Sequence, residues 1–127
     1  MMQSEMIRMI TAKNATGACK KLQTLLRLQQ EPIAILGAVG GNLRRIATAR
    51  TLLEHGKSAA ELQKLYGIPD YPARKTMDAA KGFSAAFCAR AAELVMETDY
   101  RMKTSYDDSE RLLEVLILQL AQEVSNG

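Results

Sequence analysis

The sequence predicts an all-α fold, a compact bundle of six to seven helices forming one domain. Three observations carry this reading. Only 8 glycines and 3 prolines occur among 127 residues, while the good helix formers Ala, Leu, Lys and Glu are plentiful. Apolar residues recur at steps of three and four along most of the chain. Helix caps and stops punctuate those segments, where a β protein would show alternating runs and tight turns. The length is that of a single domain, and 47% hydrophobic against 24% charged residues is too apolar for disorder.

Each element follows from local signals. Ser4 is placed to cap a short first helix to about Ala12, with Met6, Ile7, Met9 and Ile10 as its apolar residues. Asn14 starts a second helix to about Gln29, carrying Ala18, Leu22, Leu25 and Leu26 at helical spacing. Pro32 takes a first-turn position, where its missing N–H costs nothing. The third helix then runs to Glu54 or His55 and is stopped by a left-handed cap at Gly56. Its core stripe is Leu36, Val39, Leu43, Ile46, the stem of Arg50, and Leu53. Ser58-Ala59-Ala60-Glu61 has the form of a capping box and opens a short helix with Leu62, Leu65 and Tyr66, closed by Gly67. After a turn at Ile68-Pro69-Asp70, Pro72 starts a fifth helix that ends at Gly82. Phe83 and Ser84 staple and cap a sixth helix to about Met102, with Phe87, Ala91, Leu94, Val95 and Thr98 on one face. A loop from Thr104 to Asp107 leads to Asp108, the cap of the last helix.

Composition removes most chemistry. His55 is the only histidine, so a multi-His metal site cannot be built in one chain, and a Ser-His-Asp triad would have to use this residue. Asp107, Asp108 and Glu110 cluster at a helix start, where the macrodipole accounts for them. Glu93 and Glu97 lie one turn apart on a solvated face, with no histidine or hydroxyl to share acid–base work. Gly37, Gly40 and Gly41 follow no strand and lack the Gly-Lys-Ser/Thr ending of a phosphate loop. No catalytic residue, metal site or cofactor is expected. Cys19 and Cys88 are isolated and read as buried structural thiols of a reduced, cytoplasmic chain. No apolar run is long enough for a membrane span, and no signal peptide is visible.

Interaction signals are richer. Residues 1–57 carry nine Lys/Arg against three Asp/Glu, and residues 58–127 eight against eleven. The basic half suits nucleic acid or an acidic partner, or is simply a solvated face. In the third helix each glycine costs about 1 kcal/mol relative to alanine. Gly37 and Gly41, with Ala34, Ala38 and Thr48, offer a small-residue face for a second helix; a kink at Gly40-Gly41 is the other explanation. In the last helix only Glu114 is polar between Leu112 and Leu118. Leu113, Leu116, Leu120 and Val124 are assigned to the core, leaving Leu112, Val115 and Ile117 or Leu118 for a partner surface, unless the helix is buried all round. Residues 58–82 have the outline of a helix-turn-helix with Arg74 and Lys75 towards DNA, although Pro72 and Ala73 stand where a recognition helix wants polar side chains. Tyr106, just after Arg101 and Lys103, is placed either to stack on an unpaired base beside cations or to pack over the bundle end.

Several of these segments also carry a family resemblance. Pro32-Ile33-Ala34-Ile35-Leu36, Leu43-Arg44-Arg45-Ile46, Leu52-Leu53-Glu54-His55-Gly56, Ser58 to Leu65 and Gly67-Ile68-Pro69 resemble, in order and spacing, the C-terminal domain of the bacterial DNA polymerase III delta subunit. So do Asp99-Tyr100-Arg101-Met102-Lys103-Thr104, similar to that family's Asp-x-x-x-Lys-Thr segment, and the closing Leu-rich helix. The resemblance begins at about residue 6 and covers nearly the whole chain. Ser105 departs from it, standing where many relatives have Gly, and glycines at 40 and 41 are unusual for this helix.

The resemblance implies a collar domain of the clamp loader, the ATP-driven pentamer that opens the sliding clamp and places it on primed DNA. It implies assembly with the equivalent domains of the gamma/tau and delta-prime subunits, and contact with primed DNA through the assembled complex. It makes residues 1–127 one domain of a longer, non-ATPase subunit, whose ATPase-like and lid domains lie N-terminal to it and meet the clamp. The candidate subunit-interface residues are Gly37, Gly41, Arg44 (matching the family's Arg on the third helix), Leu112, Val115 and Leu118. The candidate DNA contacts are Lys103 and Tyr106, on the collar rim facing the template strand. The alternatives are a helix-turn-helix DNA-binding module over residues 58–82 and a stand-alone helical scaffold.

Overall fold

The computed structural model describes residues 2–12 and 14–126, with the side chains of residues 2–4, 7, 11, 125 and 126 left out of the description. Among the described residues seven helices follow one another: α1 Met2–Thr11, α2 Ala15–Arg27, α3 Pro32–Glu54, α4 Ala59–Tyr66, α5 Asp70–Ala80, α6 Ala85–Thr104 and α7 Ser109–Asn126. No strand occurs among them.

The caps are largely those the sequence calls for. Asn14 Oδ1 accepts the Gly17 N–H at 2.9 Å, and a side chain at 17 would collide with that carboxamide. Ser84 Oγ accepts from Phe87 N at 3.0 Å, while Phe83 packs on Phe87 with ring centroids 4.9 Å apart. Asp108 Oδ1 accepts from Glu110 N at 3.0 Å. Gly56 and Gly67 close α3 and α4 with φ of 66° and 62°, the left-handed region glycine enters freely.

Five local expectations are corrected. The first helix begins at Met2, so Ser4 lies within it; the Ser4 and Ile7 side chains fall outside the described residues. The second helix stops at Arg27, and Gln29 takes the left-handed conformation at φ 66°. Pro32 causes this early stop: it forces Glu31 into extended backbone (φ −69°, ψ 135°), so the chain must leave the helix beforehand. Ser58 caps through the Ala60 N–H at 3.3 Å, and Glu61 turns towards Lys64 in place of the reciprocal box. α5 starts at Asp70 after Pro69, two residues before Pro72, whose missing N–H falls in the first turn where no donor is needed. α6 continues two residues past Met102 to Thr104.

α3 is the axis of the fold and packs against α1, α4, α5, α6 and α7. Its buried side chains include Ile35, Leu36, Val39, Leu43 and Ile46. Leu22 and Leu25 from α2, Leu62 from α4, Met77 from α5 and Phe87 and Leu94 from α6 join them in one core. α7 lies against α1, α2, α3 and α6 and supplies Leu113, Leu116, Ile117 and Leu120, each no more than 2% exposed. A helix enclosed by four neighbours buries two i, i+4 rows where an edge helix buries one stripe. That is why Leu112, expected on an outer surface, is inside, and why of the pair Ile117 or Leu118 it is Leu118 that faces outward.

Candidate functional site

Among the described residues, no group of three His, Cys, Asp or Glu side chains is arranged to hold a metal ion, and no helix is long and apolar enough to cross a membrane. What the fold presents is a set of surfaces. The largest exposed apolar side chains sort onto particular helices and give those surfaces their chemistry.

On α3 the three glycines separate. Gly40 faces α6, where an added Cβ would lie 3.1 Å from Val95 Cγ1, so close helix crossing inside the domain uses this glycine. At Gly37 and Gly41 an added Cβ would meet nothing within 4 Å. They share an outward stripe with exposed Arg44, one helical step further on, and Ile33, 46% exposed, lies one turn before Gly37.

On α7 the sequence-assigned surface loses one of its three residues. Leu112 is 6% exposed and belongs to the interior, which removes it as a contact for another chain. Val115 and Leu118 do point outward, at 36% and 48% exposure. Leu118 borders an open groove between α7 and α2 with Ala15, Cys19, Lys20 and Glu114. Cys19 and Cys88 are half-buried rather than fully enclosed, and burial pushes both thiols above the usual range.

The loop between α6 and α7 is pinned by polar contacts. Arg101 Nη2 donates to Asp107 Oδ2 at 2.8 Å. The Ser105 hydroxyl, 2.7 Å from the Arg101 carbonyl, accepts the Asp107 N–H at 3.2 Å. Hydrogen bonds from Arg101 and then Ser105 hold the Asp107 carboxyl below the usual carboxylate range. Ser105 itself sits in extended backbone (φ −112°, ψ 168°), a conformation that suits serine as well as glycine. From this braced loop Tyr106 projects wholly into solvent, not over the bundle end. Lys103, in the last turn of α6, is tied to Asp99 at 3.0 Å and is a paired cation.

Two aromatic features are not evident from the sequence pattern. Met96 and Tyr100 are 72% and 67% exposed, one turn apart on the outer face of α6. Ala85, Ala89 and Ala92 continue that face and are exposed as well. A helical wheel of α6 carries the signal, a second apolar arc opposite Phe87, Ala91, Leu94 and Thr98. Tyr71, 62% exposed on α5, lies beside the Arg74 guanidinium and the Lys75 ammonium, 6.0 and 5.4 Å from its ring centroid.

Comparison with known proteins gives these surfaces a context. Residues 4–120 match the family described as DNA polymerase III delta subunit, C-terminal domain. The DNA polymerase III subunit delta of Bacillus subtilis (strain 168) is 28% identical over 116 residues, covering 91% of this chain and 33% of the relative. The chain thus spans about one third of the length of the curated relative it matches. The solved structure of the Bacillus subtilis DNA clamp loader delta protein superposes with a TM-score of 0.89 at 26% identity, over 95% of this chain and 36% of that one. Both matches cover residues 58–82 as part of the same domain, and nothing in them favours a separate helix-turn-helix module.

Proposed function

Because the chain belongs to the family formed by the C-terminal domains of DNA polymerase III delta proteins, we propose that it is the collar domain of a clamp-loader delta subunit. The observation that carries this reading is the family match across nearly all of its length. The domain contributes assembly, while ATP chemistry belongs to other subunits; it needs no cofactor and works in the bacterial cytoplasm. Residues 1–127 form one domain of a longer subunit whose ATPase-like and lid parts reach the sliding clamp. The partners are the equivalent domains of gamma/tau and delta-prime. Gly37, Gly41 and Arg44 on α3, and Val115 and Leu118 on α7, are the surfaces offered to them. The exposure of these residues supports that assignment: small residues let a partner helix approach closely, and exposed aliphatics gain most from being covered.

Tyr106 is the candidate contact for primed DNA in the assembled loader. With Lys103 held by Asp99, stacking of an unpaired base on the phenol ring is the main interaction this loop can offer.

Co-expression with gamma/tau and delta-prime subunits tests the reading. A stable complex by size exclusion and native mass spectrometry is the expected result, weakened by Leu118→Asp. Failure of the three to associate would sink it. Tyr106→Ala in the full subunit should leave assembly intact and slow clamp loading on primed DNA by about tenfold, the value of one lost base stack; unchanged loading would remove Tyr106 from the DNA path.

A further inference from the structure

The corner where α4 turns into α5 gathers positive charge and exposed aromatic surface on one side of the bundle. Lys64 of α4 and Arg74 and Lys75 of α5 occur there against two carboxylates, Glu61 and Asp70, and Arg45 of α3 reaches the end of α4 at the Tyr66 ring. Those carboxylates are taken up by Lys64, at 4.0 Å, and Arg74, at 2.8 Å. Among the described residues no carboxylate pairs with Arg45 or Lys75, so two positive charges at this corner stand uncompensated.

Two aromatic rings are set among these cations. Tyr66 is fixed: its hydroxyl lies 2.8 Å from Thr48 Oγ1 and the Arg45 guanidinium is 5.7 Å from its ring centroid. Tyr71 is free on one side. Arg74, locked by Asp70, and Lys75 sit beside its ring, and 62% of the residue is open to solvent. The cations lie over the aromatic ring, and the exposure of the residue leaves ring surface open for a base.

We propose that this corner binds single-stranded nucleic acid, with Tyr71 as the stacking platform for a base and Lys75 and Arg45 as contacts for the flanking phosphates. The pairing of a flat exposed ring with uncompensated cations is what a single strand uses and a duplex cannot, since duplex bases are stacked on each other. An acidic protein segment would satisfy the cations but leave the Tyr71 ring without a matching surface. The inference is independent of the clamp-loader reading and concerns residues remote in sequence from Tyr106.

The test is fluorescence anisotropy on the 127-residue chain with labelled oligothymidylate and oligouridylate of about 20 nucleotides, a length that exceeds typical single-strand site sizes. A duplex of the same length and unlabelled oligoglutamate serve as competitors. Binding of either strand is expected in the micromolar range at low salt, and comparing them identifies whether DNA or RNA is preferred. Tyr71→Ala should weaken it about tenfold and Tyr71→Phe hardly at all, because stacking survives loss of the hydroxyl. Lys75→Gln should lower the slope of log K against log salt by about 0.7, one phosphate contact on a single strand. The Tyr71→Ala loss should persist in a Tyr106→Ala background. Unaltered thermal midpoints for these exposed positions would confirm that folding is unaffected. Absence of binding, an undiminished affinity in Tyr71→Ala, or displacement by oligoglutamate as effective as by unlabelled oligothymidylate would each overturn the proposal.

Discussion

Gly40 on α3 and Val95 on α6 meet so closely that a Cβ at position 40 would stand 3.1 Å from Val95 Cγ1. Three glycines in a helix ask for a reason, and only this one has a reason inside the domain. Valine is held near one rotamer in a helix, so it cannot swing away from an added methyl. Gly40→Ala is therefore expected to destabilise the fold by about 1 kcal/mol despite its better helix propensity. Gly37→Ala and Gly41→Ala, which meet open space, should each stabilise it by about 0.5–1 kcal/mol. Urea unfolding of the three variants checks this, and adding Val95→Ala to Gly40→Ala should recover most of the loss. If Gly40→Ala gained as much as Gly37→Ala, the contact would have no energetic weight. If a partner helix seats on that face, as proposed above, methyl groups at 37 and 41 should weaken association even as they stabilise the isolated domain.

Gln29 offers a gain in stability from a single backbone correction. Its φ of 66° is a conformation that costs a side-chain-bearing residue about 1–2 kcal/mol. It is held there because the Gln29 and Gln30 N–H groups donate to Leu26 and Leu25 carbonyls at 3.0 and 3.2 Å, ending α2 in the Schellman manner. Gln29→Gly should raise stability by about 0.5–1 kcal/mol after the added freedom of the unfolded chain is deducted. A thermal melt showing no rise, or a fall, would mean the Gln29 side chain contributes more than its backbone costs.

These cases also mark where sequence was sufficient. Caps are local, and so Asn14, Gly56, Gly67, Ser84 and Asp108 were legible from neighbours within a few positions. The end of α2 was not, because its cause, Pro32, lies beyond the apolar pattern that suggested continuation. Glycines have no side chain to show which way they face, so the sequence left Gly40 out of the small-residue face without showing that it meets Val95 of α6 inside the domain. The reach of burial on α7 depends on how many helices surround it, a tertiary fact that no period of hydrophobicity records. The outer apolar face of α6 was hidden for a related reason: its alanines look like helix formers until Met96 and Tyr100 are seen beside them.

Leu112 and Leu118 test the division of α7 into core and surface. Leu112 is 6% exposed and Leu118 48%, although both stand in the same apolar run. Leu112→Ala should cost about 2–4 kcal/mol through lost burial and the cavity left behind. Leu118→Ala should stay within about 0.5 kcal/mol of the parent protein. Urea midpoints of the isolated domain read both. If Leu118 proved as costly as Leu112, it would belong to the core, and α7 would retain only Val115 as an outward aliphatic contact.

Acid should loosen the bundle partly through Asp107. Hydrogen bonds from Arg101 and Ser105 lower the pKa of its carboxyl in the folded protein, so the native state favours the ionised form. That stabilisation is present in full above the unfolded-chain pKa of about 3.9. It is lost as the pH falls through the lower folded value, where the native state must take up the proton too. Asp107→Asn removes the titration while keeping a similar shape. The variant should therefore be less stable than the parent at neutral pH, and the two should converge as the pH falls below the ordinary aspartate range. The group is exposed, so salt should shrink the difference. Glu5, held down by Lys21 at 2.9 Å across α1 and α2, adds to the same acid-side fall, so Asp107→Asn should reduce the pH dependence without abolishing it. Urea midpoints for parent and variant across the acid range would decide: parallel curves would show that the Arg101–Asp107 pair orients the Tyr106 loop without contributing to acid sensitivity.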